Sequence, residues 1–412
     1  MRIVRTLGLT VAVLLVSAII LLLALTNFRL YSPGRTDTAM SQLYFLKQSL
    51  SEGGAERMQT LFPEGYLFTW ALYGLTSANV ARSLPPDDPR RTEALRAARE
   101  AVTHLDTAAA KGTFVADMTP RYGAFYASWS LYLRSAVLRA SGPADPAPFD
   151  RVRFERDCDD FAGALSSSES PFLDSYPSAA WPVDTAVGVA ALAIADPYLG
   201  HRHKATIAGW VARARQHRDL RTGALSHTAT PEGHPAGGPR GGSLAMMSYV
   251  LADVDPVFAR EQYAALRKYF VDYRWGIPAV REYPHGVNGP SDVDSGPLVM
   301  GFSGPASVLG AGAAIANGDH TLASTLLATI EMVGMPVELG GSRQYAGGYL
   351  PVGDGFLAWA RSAPPPPTAV YPTIIPPGWR LLVHALSLLV AGALAFAGSI
   401  AFGQAKPLPG RT

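Results

Sequence analysis

Six segments of this chain repeat one order of residues: a loop containing Gly or Pro, an aromatic, then an apolar stretch rich in small residues. They read EGYLFTWALYGLTSANVA from Glu64, RYGAFYASWSLYLRSAVL from Arg121, YPSAAWPVDTAVGVAALAIA from Tyr176, GPRGGSLAMMSYVLADV from Gly238, GPSDVDSGPLVMGFSGPASVLGAGAA from Gly289 and GGYLPVGDGFLAWA from Gly347. Their starts lie 57, 55, 62, 51 and 58 residues apart. A unit of this size recurring at a near-constant spacing buries its apolar face against its own copies. The spacing is too long for tetratricopeptide or HEAT-type units.

Between these segments lie stretches of another character. Residues 90–110 (RRTEALRAAREAVTHLDTAAA) place charge on one face of a helix and apolar groups on the other. Residues 149–165, 204–217, 256–273 and 320–332 behave alike, and 37–50 supplies one more before the first repeat. Six apolar helices alternating with six amphipathic ones predict an all-α ring of hairpins, apolar helices inside and amphipathic ones outside. Strand signals are sparse, and the alternation over 278–283 predicts at most a short ribbon.

Two further segments belong to a different solvent. Residues 7–25 (LGLTVAVLLVSAIILLLAL) and 381–402 (LLVHALSLLVAGALAFAGSIAF) carry no Asp, Glu, Lys or Arg and are long enough to span a bilayer as helices. The first is longer than the apolar core of a cleavable signal peptide, so it is expected to remain as an anchor. Arg2 and Arg5 precede one span, and Lys406 and Arg411 follow the other. Cytoplasmic flanks carry the excess of Lys and Arg, so both termini are expected inside the cell. The expected division is a cytoplasmic tail and anchor over 1–29, an extracytoplasmic domain over 30–362, a proline-rich spacer over 363–379, and a second span with its tail over 380–412. In a Gram-negative cell this places the domain in the periplasm, on the inner membrane. The absence of an Asn-x-Ser/Thr sequon favours a bacterial source.

The formal charge of +2 comes from 35 basic and 33 acidic residues, and four of the basic ones sit in the two tails. The remainder is faintly acidic, which excludes a nucleic-acid footprint. A single cysteine, Cys158, excludes an internal disulfide framework and a cysteine-based zinc site.

The alternation over residues 37–361 resembles the (α/α)6 toroid, the six-hairpin superfamily that includes many glycoside hydrolases. A weaker likeness is to linalool dehydratase/isomerase-like proteins, whose chemistry uses cysteines. The likeness rests on the periodicity and on the loop, proline and acid that open the repeats. It implies a mouth where the loops entering the inner helices meet, and a glycan as ligand. No cofactor or metal is expected.

The reactive residues at those openings are the candidate site. Asp292 and Asp294 stand in Gly289-Pro290-Ser291-Asp292-Val293-Asp294-Ser295-Gly296-Pro297, where Pro297 predicts the first helical position. Just upstream, Arg281-Glu282-Tyr283-Pro284-His285-Gly286 gathers a cation, an acid, a phenol and an imidazole. Asp184 falls in the first turn of a helix opened by Trp181-Pro182, where a carboxylate also suits the helix dipole. Glycosidic cleavage needs one carboxyl group held protonated and one ionised. Asp184, Asp294 and Glu282 are therefore the expected catalytic acids. Asp292, Asp354, Arg240, His285 and the aromatics Tyr66, Trp70, Tyr122, Trp181, Tyr283 and Tyr349 are the expected ligand contacts. Each also has an ordinary structural explanation: a helix cap for the acids, core packing for the aromatics.

Several other motifs fail. Gly301-Phe302-Ser303-Gly304-Pro305 lacks the last glycine of a nucleophile elbow, and Gly310-Ala311-Gly312 lacks the third glycine of a dinucleotide fingerprint. His201 and His203 have no third ligand at a suitable spacing. His227 and His234 lie in a Gly/Pro-rich stretch, 222–242, long enough to cover the mouth. The sequence thus predicts a membrane-anchored glycan-active protein that hydrolyses a glycosidic bond. The rival readings are a non-catalytic glycan-binding or scaffold protein of the envelope, and a lyase or isomerase acting on a hydrophobic alcohol.

Overall fold

The computed structural model describes residues 2–31, 35–142, 149–366, 371 and 378–405. The flanking Lys406 and Arg411, and the spacer prolines Pro367, Pro372, Pro376 and Pro377, lie outside the described residues. The chain is mostly helical. In order it forms α1 (Arg2–Arg29), α2 (Arg35–Ser51), α3 (Gly54–Leu61), α4 (Gly65–Ser83), α5 (Pro89–Leu105), α6 (Ala108–Lys111), α7 (Gly123–Ser141) and α8 (Arg151–Ser167). After the short strands β1 (Asp174–Tyr176) and β2 (Ala179–Ala180) come α9 (Pro182–Ala195) and α10 (Lys204–Gln216). Strands β3 (Thr228–Ala229) and β4 (Pro235–Gly237) precede α11 (Gly241–Val250) and α12 (Pro256–Tyr269). The hairpin β5 (Val271–Arg274) and β6 (Ile277–Val280) leads to α13 (Gly304–Ala316) and α14 (His320–Val333). A last hairpin, β7 (Val337–Leu339) and β8 (Ser342–Gln344), precedes α15 (Pro351–Arg361) and α16 (Trp379–Ala405).

The repeated apolar segments are α4, α7, α9, α11, α13 and α15. Helix α4 packs on α7, α7 on α9, α9 on α11, α11 on α13, α13 on α15, and α15 on α4 again. Each is buried on nearly every side, as an all-apolar helix requires. Small residues permit the close approach: a Cβ on Gly188 of α9 would lie 2.1 Å from Phe161 Cζ, and one on Gly312 of α13 would lie 3.0 Å from Ala360 Cα of α15. Aromatic side chains fill the middle. Trp129 of α7 meets Phe68 of α4 at 5.0 Å and Trp359 of α15 at 5.8 Å, and Trp359 meets Tyr249 of α11 at 4.5 Å.

The amphipathic helices α2, α5, α8, α12 and α14 pack on these from outside, as does α10. In α5 the buried residues Ala94, Ala98, Ala101, Val102 and Leu105 form one stripe. The two sets of helices begin differently. Asp88, Asp150, Asp255 and Asp319 cap α5, α8, α12 and α14 with side-chain oxygens. The residues preceding α4, α7, α9, α11 and α15 make no side-chain cap, although Gln59 Oε1 accepts the Tyr66 N–H in the first turn of α4 at 2.9 Å.

Helix α13 starts later than Pro297 implies. Ser303 is its cap, accepting from the Ala306 N–H at 3.1 Å, with Pro305 in the first turn. Ser295-Gly296-Pro297 and Ser303-Gly304-Pro305 can each open a helix, and the second wins because the small-residue apolar run begins there. Residues 289–303 are therefore loop.

Helices α1 and α16 contain stretches of 20 and 22 residues, Thr10–Arg29 and Trp379–Ile400, long and apolar enough to cross a membrane. They pack on each other, and Asn27 Nδ2 donates to Ser387 Oγ at 2.8 Å between them. His384 is shared: its Nδ1 lies 2.5 Å from Asn27 Oδ1 and its Nε2 lies 3.0 Å from the Tyr31 hydroxyl.

Candidate functional site

The ends at which the uncapped helices begin bring carboxyl groups together from four places in the chain. Glu64 stands immediately before α4, Asp184 in the first turn of α9, and Glu282 after β6, where its carbonyl accepts the first N–H of α11 from Gly241 at 2.8 Å. Asp294 comes from the loop ahead of α13.

Asp184 is buried and accepts a hydrogen bond from Ser175 Oγ at 2.6 Å. Burial pushes its pKa up to about 7; Ser175 opposes this, while Asp294 and Glu64 push the same way. Glu282 is buried too, and its Oε2 has no hydrogen-bond partner. Burial again lifts the pKa to about 7, against the attraction of Arg240 and with Asp292 and Asp294 adding to the rise. Asp294 is exposed to water on its loop. Its pKa is raised by partial burial first, then by Asp292 and Glu64. Glu64 accepts a hydrogen bond from the Tyr176 hydroxyl.

One cation stands among these acids. Arg240, the residue before α11, pairs with Asp292 and lies 5.4 Å from the Tyr283 ring centre. Burial pushes Asp292 up, but the Ser295 backbone N–H and Arg240 outweigh it and hold the group below the usual carboxylate range. Asp292 Oδ1 accepts that N–H at 2.9 Å, which stiffens the loop beside Asp294. Tyr283 is braced by its own hydroxyl, which donates to the Pro290 carbonyl at 2.9 Å. His227 adjoins the same group. Its Nδ1 lies 2.6 Å from Ser243 Oγ, and burial, then Arg240, lower its pKa to about 4. It is thus a neutral imidazole at physiological pH. The stretch 222–242 that carries it is tied down through β3 and β4 to the sheet containing Ser175 and Tyr176.

The expected residues therefore divide. Asp184, Asp294, Glu282, Asp292, Arg240 and Tyr283 come together, with Trp181 edge-on to Tyr176 at 5.5 Å. Tyr66 and Trp70 turn instead toward α5: Trp70 stacks on His104 at 3.5 Å, and the Tyr66 hydroxyl lies 3.2 Å from His104 Nδ1. Tyr122 adopts a left-handed conformation at φ 67° and packs on Tyr126. His285 and Tyr349 are exposed. Asp354 accepts the Tyr345 N–H at 3.0 Å, and burial lifts its pKa to about 8. Ser175, Tyr176 and His227 join the group although spacing alone does not single them out. The one local signal is that Tyr176 opens the third repeat.

Among the described residues no three His, Cys, Asp or Glu are arranged to hold a metal ion. Cys158 is buried on α8, where burial raises its pKa well above that of a free thiol. His201 is exposed and His203 lies against Asp159 at 3.3 Å. A cavity of about 240 Å3 lies at the opposite ends of α4 and α15, lined by Asn79, Arg82, Ser83 and Arg361, away from the carboxyl groups. No family model matches the chain, and no curated protein matches it.

Proposed function

We propose that this chain is an (α/α)6 toroid, anchored by two membrane spans with both termini in the cytoplasm, whose extracytoplasmic mouth binds and hydrolyses a glycan. In a Gram-negative cell the domain stands in the periplasm. The return of α15 to α4 supports the ring, and the basic flanks of the spans support the orientation.

The observation that carries the hydrolase reading is the gathering of Glu64, Asp184, Glu282 and Asp294 from four segments, two of them with pKa values lifted to about 7. Like-charged groups that raise one another's pKa stay partly protonated at neutral pH, which glycosidic bond cleavage requires. In this mechanism Asp184 carries the proton given to the leaving oxygen. Asp294, the member open to water, works ionised on the anomeric side. Glu282 and the Arg240–Asp292 pair hold sugar hydroxyls, and Trp181 offers an aromatic wall. The uncapped N-termini of α9 and α11 add N–H donors suited to hydroxyl-rich ligands.

The test is reducing-sugar release from envelope polysaccharides by the full chain in detergent, compared with Asp294→Asn. Release by the wild type and its loss in the variant supports the reading. Equal release removes Asp294 from the mechanism.

A further inference from the structure

The candidate spans join the domain beside the carboxyl groups. Leu30, directly after α1, is buried with Trp379 and Val383 of α16 and with Ala328 and Met332 of α14, and Ile277 of β6 packs on this cluster. The turn between β5 and β6 is held at the same place: a Cβ on Gly276 would lie 3.2 Å from Leu382 Cδ1 and 3.4 Å from Trp379 Cβ. From Ile277 the chain runs along β6 and reaches Glu282 five residues later. At no more than about 3.6 Å per residue, five steps cover at most about 18 Å. Glu282 is therefore at most about 18 Å from Ile277, which packs on the cluster where α16 meets the domain. The second hairpin is tied to the other span, since Arg29 Nη2 donates to the Pro336 carbonyl at 2.8 Å.

What these loops present outward is apolar. Trp275 at the β5–β6 turn is 64% exposed, and Met335, Val337 and Leu339 around β7 are 54, 49 and 82% exposed. Val299 and Met300, on the loop that carries Asp294, are 67 and 57% exposed. Large apolar side chains exposed on two hairpins, each held to a candidate span, mark an interaction site. Continuity with two membrane spans decides the occupant, because side chains fixed where a span leaves the hydrocarbon lie in the bilayer interface.

We infer, on the glycan reading above, that the carboxyl-lined mouth opens onto the bilayer and takes a lipid-linked glycan. The saccharide reaches Asp184, Asp294 and Glu282 while the apolar tail stays among Trp275, Met335, Val337 and Leu339. Such a substrate needs no release from the membrane, and the exposed rim is covered by lipid instead of water.

The experiment uses the full chain in nanodiscs of phosphatidylethanolamine and phosphatidylglycerol. Cys158 is fully buried, so a fluorophore can be placed on Leu339→Cys alone, with Val152→Cys on α8 as the control. Lipids carrying a nitroxide on the upper acyl chain are expected to quench the label at 339 several-fold more than the label at 152. In the same discs, an alkyl glycoside with a photoreactive tail is expected to attach to peptides covering 271–280 or 333–345, and excess alkyl glycoside without the photoreactive group to suppress that attachment. Equal quenching at both positions, or attachment confined to α1 and α16, overturns the inference and leaves hydrolysis of a soluble glycan standing. Quenching and rim attachment with no sugar released from any glycan instead remove the hydrolase reading and keep the bilayer-facing mouth.

Discussion

Ser175 donates its hydroxyl hydrogen bond to Asp184 across 2.6 Å, and both residues are almost closed to water. That single donor does not offset the cost of burying a charge, so the Asp184 pKa rises to about 7. The consequence for stability has a definite sign. Below the unfolded value of about 3.9 the group is protonated in both states and contributes nothing. Between there and about 7 the unfolded chain ionises while the native group keeps its proton, so stability falls as pH rises, then levels off. Asp184→Asn removes this penalty. Its melting temperature relative to wild type is expected to be higher at pH 7.5 than at pH 4, measured by thermal denaturation of the full chain in detergent.

Arg240 counteracts the rise in the pKa values of Glu282 and Asp294. Arg240→Gln lifts both further, so a higher pH is needed to ionise the working carboxylate. The acidic limb of a kcat/KM profile is expected to move to higher pH in the variant. A profile that only drops in height, with both limbs in place, would assign Arg240 to binding alone.

Glu331 tests the frame and not the site. It is 1% exposed and accepts from Arg361 at 2.6 Å, from Tyr345 Oη at 2.5 Å and from Arg343. Burial pushes its pKa up, but Arg361 and the other donors outweigh it and hold the group below its ordinary value. Its stabilisation is therefore complete above the unfolded pKa and is lost as pH falls through the lower folded one. Glu331→Gln leaves two cations short of charge and should cost about 3–5 kcal/mol, read from chemical denaturation at neutral pH.

Two glycines separate helix packing from helix propensity. A Cβ on Gly188 would meet Phe161 at 2.1 Å and Ser128 at 2.5 Å, whereas one on Gly163 of α8 meets nothing within 4 Å. Gly188→Ala should destabilise by about 1–3 kcal/mol through overpacking. Gly163→Ala should stabilise by up to about 1 kcal/mol, since alanine is the better helix former. Denaturation of the two variants side by side checks the opposite signs.

The helices were legible because burial on all sides and burial on one stripe leave different sequence periods. Residues 204–217 and 320–332 match α10 and α14 almost end to end. The start of α13 was less legible, because Pro297 and Pro305 both offer an opening and only packing chooses. The acids of the site stood out at the repeat openings. Their partners did not: Ser175 and His227 reach the group through short strands, whose pairing across distant segments leaves no local period. Tyr66 and Trp70 illustrate the opposite error, since an aromatic at a helix start can turn outward to a neighbour such as His104. The exposure of Met335, Val337 and Leu339 is not legible in sequence, because an apolar side chain in or beside a short strand reads the same whether it is buried or open to solvent.

In the proposed mechanism Asp294 works as an ionised carboxylate at the anomeric side of a glycan. Asp294→Ala, shown to be folded by its melting curve, leaves room for a small carboxylate to take the missing group's place. Glycan hydrolysis by this variant, measured with and without added formate, is the most direct test. Hydrolysis is expected to be lost in the variant and restored as formate is raised. Hydrolysis at the wild-type rate without formate would contradict that mechanism.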